Sequence, residues 1–309
     1  MNPFHWTGRI DAEETGVTTR WHQRVKPLDD RATGGVALIG FPVDEGVRRN
    51  GGRVGAADGP RAVRAALANL PIMGEPALWD AGDAGYTDGD LEAAQDKLAQ
   101  RVATVIAQGC RPLVLGGGHE VAWGTFQGIV RARPDLRHIL VVNFDAHFDL
   151  RQATQANSGT PFRQIAEWCR AHDRPFDYRV LGVSRYANTQ ALFDRAKALN
   201  AHHVLDEDLQ TDRDVAAARD GLRAALQRCD AVYLTVCLDV LPSFQAPGVS
   251  APAALGVPLG HALALLDTVL ACGKVVAADI AELNPNSDRD SLTAKTAARI
   301  AALIARSVR

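Results

Sequence analysis

Short apolar runs alternate with helical patterns along this 309-residue chain, and this alternation constrains the fold more than any other feature. Apolar runs of about four to eight residues between turn signals are typical of strands that are buried on both faces. Their alternation with helices predicts βαβ units and an α/β fold, a three-layer α/β/α sandwich with a mainly parallel sheet. The six predicted strands are Val36–Ile39, Pro112–Leu115, His138–Val142, Tyr178–Val183, Val232–Leu238 and Lys274–Ile280.

The helical patterns have recognisable starts and ends. Asp58 and Pro60 precede or open a predicted helix, and Gly109 closes another whose Leu91, Leu98, Val102 and Val105 share one face. No repeat or long linker interrupts the chain, so we expect a single domain over residues 1–309. His202–His203 lies outside every pattern and is predicted to be loop or helix surface. The four predicted helices are Pro60–Leu70, Asp90–Gly109, Gly260–Cys272 and Asp290–Val308.

Charge and cysteine content exclude several classes of protein. A net charge of -2 argues against binding to nucleic acid or to an anionic membrane. No apolar run is long enough to span a bilayer, and the first residues lack the basic and apolar segments of a signal peptide. The five cysteines form no C-x-x-C pair, which favours reduced thiols. The expected location is therefore the cytoplasm.

The first polar group stands at the end of the second predicted strand. Gly116–Gly118 follows Leu115 and leads directly to His119 and Glu120. The glycines allow a tight turn that places His119 at the strand end. No Lys-Ser/Thr follows the turn and no G-x-G-x-x-G is present, so a phosphate-binding loop is disfavoured. Parallel sheets bind ligands outside the carboxyl ends of their strands, where this histidine is expected.

A second group follows the third predicted strand. Asp145, His147 and Asp149 are spaced two apart, so their side chains can converge on one face. Carboxylates and an imidazole crowded together would need a positive charge between them, and a divalent cation supplies it. The alternative is a solvated polar edge whose acids pair with Arg151.

Two further strand ends carry polar residues. Cys237 and Asp239 share a face at the end of one strand, and Asp279 and Glu282 close another. Each signal is weak alone, but four strand ends that deliver such residues together indicate a metal site. Ligand sets rich in oxygen with one or two imidazoles suit Mn²⁺ or a related ion. The carboxylates suffice for two ions, which can lower the pKa of a shared water molecule.

These residues and several other segments resemble the ureohydrolase (arginase/agmatinase) superfamily, and within it the formimidoylglutamase branch. The resemblance runs from the N-terminus to the end of the chain, and no single motif carries it. The matching segments are residues 9–14, 21–25, 50–56, 116–119, 145–151, 158–162, 239–242, 246–252 and 282–285.

The resemblance implies an arginase-like sandwich with a sheet of roughly eight strands and two Mn²⁺ ions per chain. It implies a small-molecule substrate, N-formimidoyl-L-glutamate, hydrolysed to L-glutamate and formamide, and a possible homo-oligomer. Carried over by position, His119 and Asp149 bind the first ion and His147 and Asp239 the second. Asp145 bridges the ions, and Glu282 receives the cationic formimidoyl group.

Two positions depart from the family pattern. The family usually has a second bridging Asp where this chain has Cys237, and a thiolate favours Zn, Fe or Co over Mn. Cys237 is therefore either a ligand or a buried thiol beside a depleted site. The guanidine-cleaving members carry a His after the Ser-Gly segment, and here residues 158–163 have none. That absence argues against arginase or agmatinase activity.

A glutamate-like substrate has two carboxylates, so its pocket needs cations. Arg53, Arg151, Arg163 and Arg185 follow strands or lie in matching segments, and Arg163 and Arg185 are favoured as the clamp. Ser158 and Thr160 are expected to donate hydrogen bonds beside them. The alternatives are another amidine or guanidine hydrolase of the same fold, and a metal-impaired relative without catalysis.

Overall fold

The apolar runs form the inner strands of a nine-stranded sheet in the structure, a computed structural model that describes residues 4–72, 74–85 and 89–307. The strands are β1 (Lys26–Pro27), β2 (Val36–Gly40), β3 (Leu78–Asp83), β4 (Arg111–Leu115), β5 (Ile139–Phe144), β6 (Asp177–Val183), β7 (His202–Leu205), β8 (Ala231–Cys237) and β9 (Val275–Ala281). The helices are α1 (Trp21–Arg24), α2 (Glu45–Arg49), α3 (Gly59–Ala68), α4 (Leu91–Ala107), α5 (Val121–Ala132), α6 (Pro161–Ala171), α7 (Gln190–Ala198), α8 (Asp212–Arg228), α9 (Leu259–Leu270) and α10 (Leu292–Arg306).

The strands lie in the order β1-β3-β2-β4-β9-β8-β5-β6-β7, and each neighbouring pair is parallel. Every residue of β2, β5 and β8 is buried, as expected for strands with helices on both faces. Side chains of alternate residues enter opposite layers. Val36 and Leu38 pack in the same core cluster as residues of α3, α8, α9 and α10, whereas Ala37 and Ile39 pack with residues of α4. The predicted three-layer α/β/α sandwich is confirmed.

The main differences from the sequence predictions are three unpredicted strands near the ends of the sheet and six unpredicted helices, namely α1, α2 and α5 to α8. The nine strands exceed the eight that the resemblance implies, and β1, β3 and β7 were not predicted because their sequences are short or polar. The prediction for His202–His203 was wrong, since both residues belong to β7 and pair with β6. Both are nonetheless exposed, so no buried apolar run marks this strand.

The predicted helices and strands begin or end within about two residues of the observed ones. For the last helix, the predicted end at Val308 falls outside the described residues. Within the described part of the chain, no helix is both long and apolar enough to cross a membrane.

The glycine turn after β4 is packed too closely to admit side chains. A Cβ on Gly117 would lie 1.7 Å from the carbonyl oxygen of Val43, and one on Gly118 would lie 2.1 Å from a carboxylate oxygen of Glu120. The amide of Gly118 donates to Val43, and the Gly117 carbonyl accepts from the amide of Glu282. The turn therefore fixes the backbone on which His119 stands.

Candidate metal centre

Four adjacent strands in the middle of the sheet supply the polar cluster. In spatial order they are β4, β9, β8 and β5, and all four point their carboxyl ends to the same edge because the sheet is parallel. The side chains that follow them are His119 after β4, Glu282 after β9, Cys237 and Asp239 at the end of β8, and Asp145, His147 and Asp149 after β5. The site is thus assembled from segments that are far apart in the sequence.

His119 stands between two carboxylates. Its Nδ1 lies 2.9 Å from Oδ2 of Asp145 and 2.9 Å from Oδ2 of Asp149, and all three side chains are largely buried. Neither contact has hydrogen-bond geometry, since Nδ1 has no hydrogen-bond partner among the described residues. Cys237 Sγ completes a group with His119 and Asp145 whose candidate ligand atoms all lie within 4.8 Å of one another.

A second group shares Asp145 with the first. His147 Nδ1 lies 3.2 Å from Oδ2 of Asp239 and 3.5 Å from Oδ1 of Asp145. The candidate ligand atoms of Asp145, His147 and Asp239 again lie within 4.8 Å of one another. The structure therefore brings together all six residues that the sequence predicted as metal ligands, with Asp145 common to both groups.

Other side chains orient these residues from behind. The Asn143 amide donates to Oδ2 of Asp145 at 3.0 Å and to the Tyr178 hydroxyl at 2.9 Å. The Nε2 of His119 lies 3.0 Å from Oγ1 of Thr235, and its backbone amide donates to Oε1 of Glu282 at 2.9 Å. All of these groups are buried. Such outer contacts set the tautomer and the ring orientation of a ligand histidine.

Two residues of the site adopt left-handed backbone conformations without being glycine. Asp149 has φ 47° and Glu282 has φ 72°. Residues other than glycine rarely adopt this backbone conformation. Those that do cluster at functional sites, where the surrounding structure holds them in place. At Glu282, the hydrogen bond from the backbone amide to the Gly117 carbonyl helps to hold this conformation.

The acidic surroundings change the protonation of the site. Burial lowers the pKa of the His119 and His147 rings, but the carboxylates of Asp145, Asp149 and Asp239 outweigh it and raise both pKa values. Burial, reinforced by neighbouring acids, raises the pKa of the Cys237 thiol and of the Glu282 carboxyl. The cluster thus favours positive charge, which bound protons or bound cations can provide.

The donor set fits two divalent cations. Oδ1 of Asp239, Oε2 of Glu282 and Nδ1 of His119 are buried polar atoms that have no hydrogen-bond partner among the described residues. Unpaired buried polar atoms are costly, and a cation beside them would satisfy them. Imidazole nitrogens and carboxylate oxygens are suitable ligands for Mn²⁺ and related ions. The ions would lie between His119, Asp149 and Cys237 on one side and His147 and Asp239 on the other, with Asp145 shared.

A cavity of about 330 Å³ opens beside the cluster. Two arginines line it, together with polar groups. Arg53 donates from Nε to the carbonyl of Ser250 at 2.9 Å and from Nη2 to Val249, which anchors its guanidinium. Arg151 has no side-chain hydrogen bond or ion pair among the described residues. Its guanidinium is therefore available to an anionic ligand.

The predicted substrate-binding residues separate into two sets. Ser158 lines the cavity, and its Oγ accepts a hydrogen bond from Asn50 at 3.1 Å. Thr160 is buried at the start of α6, where its hydroxyl bonds to Asn157 of the preceding loop and to Gln164 of the helix. Arg163 donates to the carbonyl of Arg151 and to Glu167, and Arg185 pairs with Glu207 on the surface. The structure does not bring these last three into the cavity.

Sequence reasoning did not single out some residues that the fold places around the site. Asn50 and Ser250 line the cavity, and Asn143 and Thr235 contact metal-ligand candidates. Asn50 and Ser250 lie in segments that match the family, which was an available signal. Asn143 and Thr235 lie inside buried strands, where nothing local distinguishes a polar residue that supports a ligand.

Comparisons with known proteins agree with this geometry. The model of the arginase family matches residues 34–305. The chain is 53% identical over 304 residues to a formimidoylglutamase of Chromobacterium violaceum, covering 98% of each chain. It is 52% identical to a formimidoylglutamase of Aeromonas hydrophila, covering 96% of this chain and 95% of that protein.

Solved structures show the same fold. The formimidoylglutamase of Bacillus subtilis superposes with a TM-score of 0.84 at 22% identity, covering 97% of this chain and 96% of that chain. The formiminoglutamase of Trypanosoma cruzi, solved with Mn²⁺, superposes with a TM-score of 0.76 at 28% identity, covering 89% of this chain and 94% of that chain. The chain therefore belongs to the arginase family.

Proposed function

We propose that this protein hydrolyses N-formimidoyl-L-glutamate to L-glutamate and formamide, as a hydrolase that acts on the C–N bond of a linear amidine. Relatives named formimidoylglutamase are about half identical to it over nearly their whole length. The observation that carries the proposal is the convergence of two imidazoles with the carboxylates of Asp145, Asp149 and Asp239, beside a cavity that contains two arginines.

We propose two divalent cations as the cofactor, with Mn²⁺ the ion that the resemblance implies, held by the five residues of the two groups and by Asp149. Two divalent cations there would supply, at neutral pH, an activated water molecule. The chain's own contribution is to hold the ligands in place, through Asn143 on Asp145 and Thr235 on His119. The identity of the ions stays a prediction from the resemblance and the donor chemistry.

We propose that Glu282 binds the reacting end of the substrate. One carboxylate oxygen accepts from the His119 amide, and the other is buried without a partner among the described residues, at the wall of the cavity. A formimidoyl group is cationic when protonated, and a carboxylate pairs with such N–H donors through charge-assisted hydrogen bonds. Glu282 therefore orients the amidine carbon at the centre.

Arg151 and Arg53 are proposed as the sites for the carboxylates of the glutamate part. Both line the cavity, and Arg151 has no side-chain partner among the described residues. Guanidinium groups bind carboxylates in a planar, bidentate arrangement. Asn50 and Ser158 lie on the same wall and offer further polar contacts. Arg151 and Arg53 replace Arg163 and Arg185 as the proposed clamp, since Arg163 pairs with Glu167 and Arg185 pairs with Glu207.

Formamide release by the Mn²⁺-reconstituted protein tests the function. We expect turnover of N-formimidoyl-L-glutamate and none of agmatine or arginine, because the cavity offers cations for a second carboxylate. The Arg151→Leu variant should lose about 30-fold or more in kcat/KM, because a substrate carboxylate would lose its charged partner.

Arg185→Leu is the matched control, since Arg185 is an exposed arginine paired with Glu207. Its kcat/KM should stay at the wild-type value. Equal losses in both variants would contradict the proposed clamp, and absence of formamide from the fully metallated protein would contradict the function. Turnover of agmatine or arginine instead would assign another hydrolase activity of the same fold.

Three further expectations stay predictions. One catalytic domain over residues 1–309 is supported by the single continuous sheet. A homo-oligomer and a cytoplasmic location rest on the resemblance and on the sequence, and the described cysteines, which are free thiols, agree with a reducing compartment.

A further inference from the structure

The two halves of the metal centre carry different donor atoms. One half has the imidazole of His119, the carboxylates of Asp145 and Asp149, and the sulfur of Cys237. The other half has the imidazole of His147 and the carboxylates of Asp145 and Asp239. Sulfur ligands select zinc, iron or cobalt, whereas carboxylates suit Mn²⁺ and Mg²⁺. The two positions are therefore chemically unequal.

We propose that the half of the centre that contains Cys237 takes a thiophilic divalent cation, such as Zn²⁺ or Co²⁺, while the half that contains Asp239 takes Mn²⁺. The inference rests on the two-ion site of the proposed function but does not depend on the substrate. It makes Cys237 a metal ligand and the centre a mixed one.

The surroundings of Cys237 distinguish it from a cysteine that merely packs. Cys110, Cys169 and Cys229 each belong to one of the hydrophobic core clusters of the described chain, and Cys237 belongs to none of them. Its side chain is buried, and its charged neighbours are Asp239, Asp145 and Glu282. A cysteine whose role is to pack is expected among apolar side chains and not among carboxylates.

The backbone keeps this sulfur at the centre. Cys237 is the last residue of β8 and is paired with Ala281 of the neighbouring strand β9. The adjacent 3₁₀ turn, Leu238–Val240, begins with Leu238 and carries Asp239. Because strand pairing and the turn hold both sides of the residue, Sγ stays in the group with His119 and Asp145.

Charge balance also favours a ligating thiolate. Asp145, Asp149 and Asp239 bring three negative charges, and two divalent cations bring four positive ones. A thiolate at Cys237 would bring the summed charge of the two ions and their four anionic ligands to zero, and its proton would leave to solvent when the ion binds. An excess charge is costly in a buried site, so the neutral arrangement is preferred.

Reconstitution with Co²⁺ tests this proposal without any turnover. Sulfur bound to Co²⁺ gives a charge-transfer band in the near ultraviolet, which oxygen and nitrogen ligands do not produce. We expect the band in the wild-type protein loaded with cobalt, and its loss in Cys237→Asp, which should still bind two ions. Cys237→Ser preserves the size of the side chain, and it should also lack the band if the aspartate variant folds poorly.

Cys272→Ser is the matched control, since Cys272 precedes β9 at the opposite edge of the sheet. It should keep the band. A wild-type protein with two bound Co²⁺ ions and no band would overturn the proposal, and so would a band that survives in Cys237→Ser.

Competition between metals gives a second readout. Metal-free protein exposed to Zn²⁺ and a large excess of Mn²⁺ should bind both kinds of ion, whereas Cys237→Asp should lower the zinc-to-manganese ratio about tenfold or more under the same conditions. An unchanged ratio would overturn the proposal. Formamide release is measured separately, so an inactive protein with a cobalt–sulfur band would refute the proposed function and leave this inference standing.

Discussion

At the scale of single residues, Thr235 is a positioning residue for His119. Its Oγ1 lies 3.0 Å from Nε2 of the ring, and both side chains are fully buried. When Nδ1 faces a cation, Nε2 carries the proton and donates a hydrogen bond to Thr235. A contact of this kind fixes the ring and the tautomer of a metal-binding histidine.

We therefore expect Thr235→Val to weaken metal binding by about 10–100-fold, because the ring loses its acceptor while the volume stays similar. A competition titration against a chelator measures this affinity. Thr296→Val is the control, since Thr296 is also buried but bonds to Gln245 on another part of the fold. Equal affinities in wild type and Thr235→Val would show that the contact has no such role.

Glu45 is a titrating residue whose charge depends on the arginines around it. Hydrogen bonds from Arg48, against the opposing effect of burial and with help from Arg49, lower its pKa from the ordinary value of 4.5. A carboxyl with a lowered pKa in the folded state binds its proton more weakly there than in the unfolded chain. Its stabilising contribution is present above the unfolded pKa and is lost as the pH falls through the folded pKa.

The difference in unfolding free energy between wild type and Glu45→Gln should consequently shrink as the pH is lowered below 4.5. Denaturant titrations at a series of pH values measure this difference. A gap that stays constant down to the acid limit would contradict the assignment. Glu75→Gln serves as the reference, because that carboxylate is largely exposed.

At the scale of elements, a buried arginine joins helix α3 to strand β3. Arg64 is 1% exposed, and its guanidinium donates twice to Asp80, at 2.9 and 3.0 Å, and once to Asp83 at 2.7 Å. Trp6 also donates to Asp80. These hydrogen bonds compensate the two acidic residues that β3 carries beside the core. Because of those acidic residues, the sequence of β3 lacks the apolar run that predicts a buried strand.

Arg64→Met should destabilise the protein by about 3–5 kcal/mol, because it leaves the carboxylate of Asp80 without its main partner. Urea unfolding gives the change. Arg61→Met on the same helix is the control, since Arg61 is exposed. The double change Arg64→Met with Asp80→Leu should recover part of the loss, and a double variant no more stable than Arg64→Met would argue against an ion-pair origin.

The inner and edge strands differ in how well their sequences predict them. β2, β5 and β8 are buried along their whole length, so apolar composition alone identifies them. β7 begins with the exposed His202 and His203, and is a strand because β6 offers it backbone hydrogen-bond partners. Pairing of this kind is a tertiary property that local sequence does not record.

At the scale of the whole molecule, the metal centre joins strands from both halves of the chain. His119, Asp145 and Asp239 follow three different strands that lie close together in the middle of the sheet. Without cations, protonated imidazoles would compensate these carboxylates, which raise the pKa of both His119 and His147. Cation binding should therefore stabilise the entire fold.

We expect chelator-treated protein to unfold at a lower Tm than metallated protein, with a stabilisation of about 4 kcal/mol when free metal exceeds its Kd by about 1,000-fold. Differential scanning calorimetry at several Mn²⁺ concentrations tests this. Asp145→Asn should lose most of the metal dependence, because Asp145 belongs to both groups. A wild-type Tm that does not change with Mn²⁺ concentration would contradict a two-ion centre at these residues.

The sequence alone determined the sandwich, the inner strands and the six metal-ligand candidates, because burial and strand ends leave local patterns, and the resemblance of the matching segments indicated the family. Tertiary structure decided the strand order that brings β4, β9, β8 and β5 together, because these strands are separated in the sequence and meet only through their pairing in the sheet. It also decided which arginines reach the cavity. Arg163 and Arg185 lie close in sequence to segments of the site, but they pair with the carboxylates of Glu167 and Glu207. Only the folded chain shows these partners.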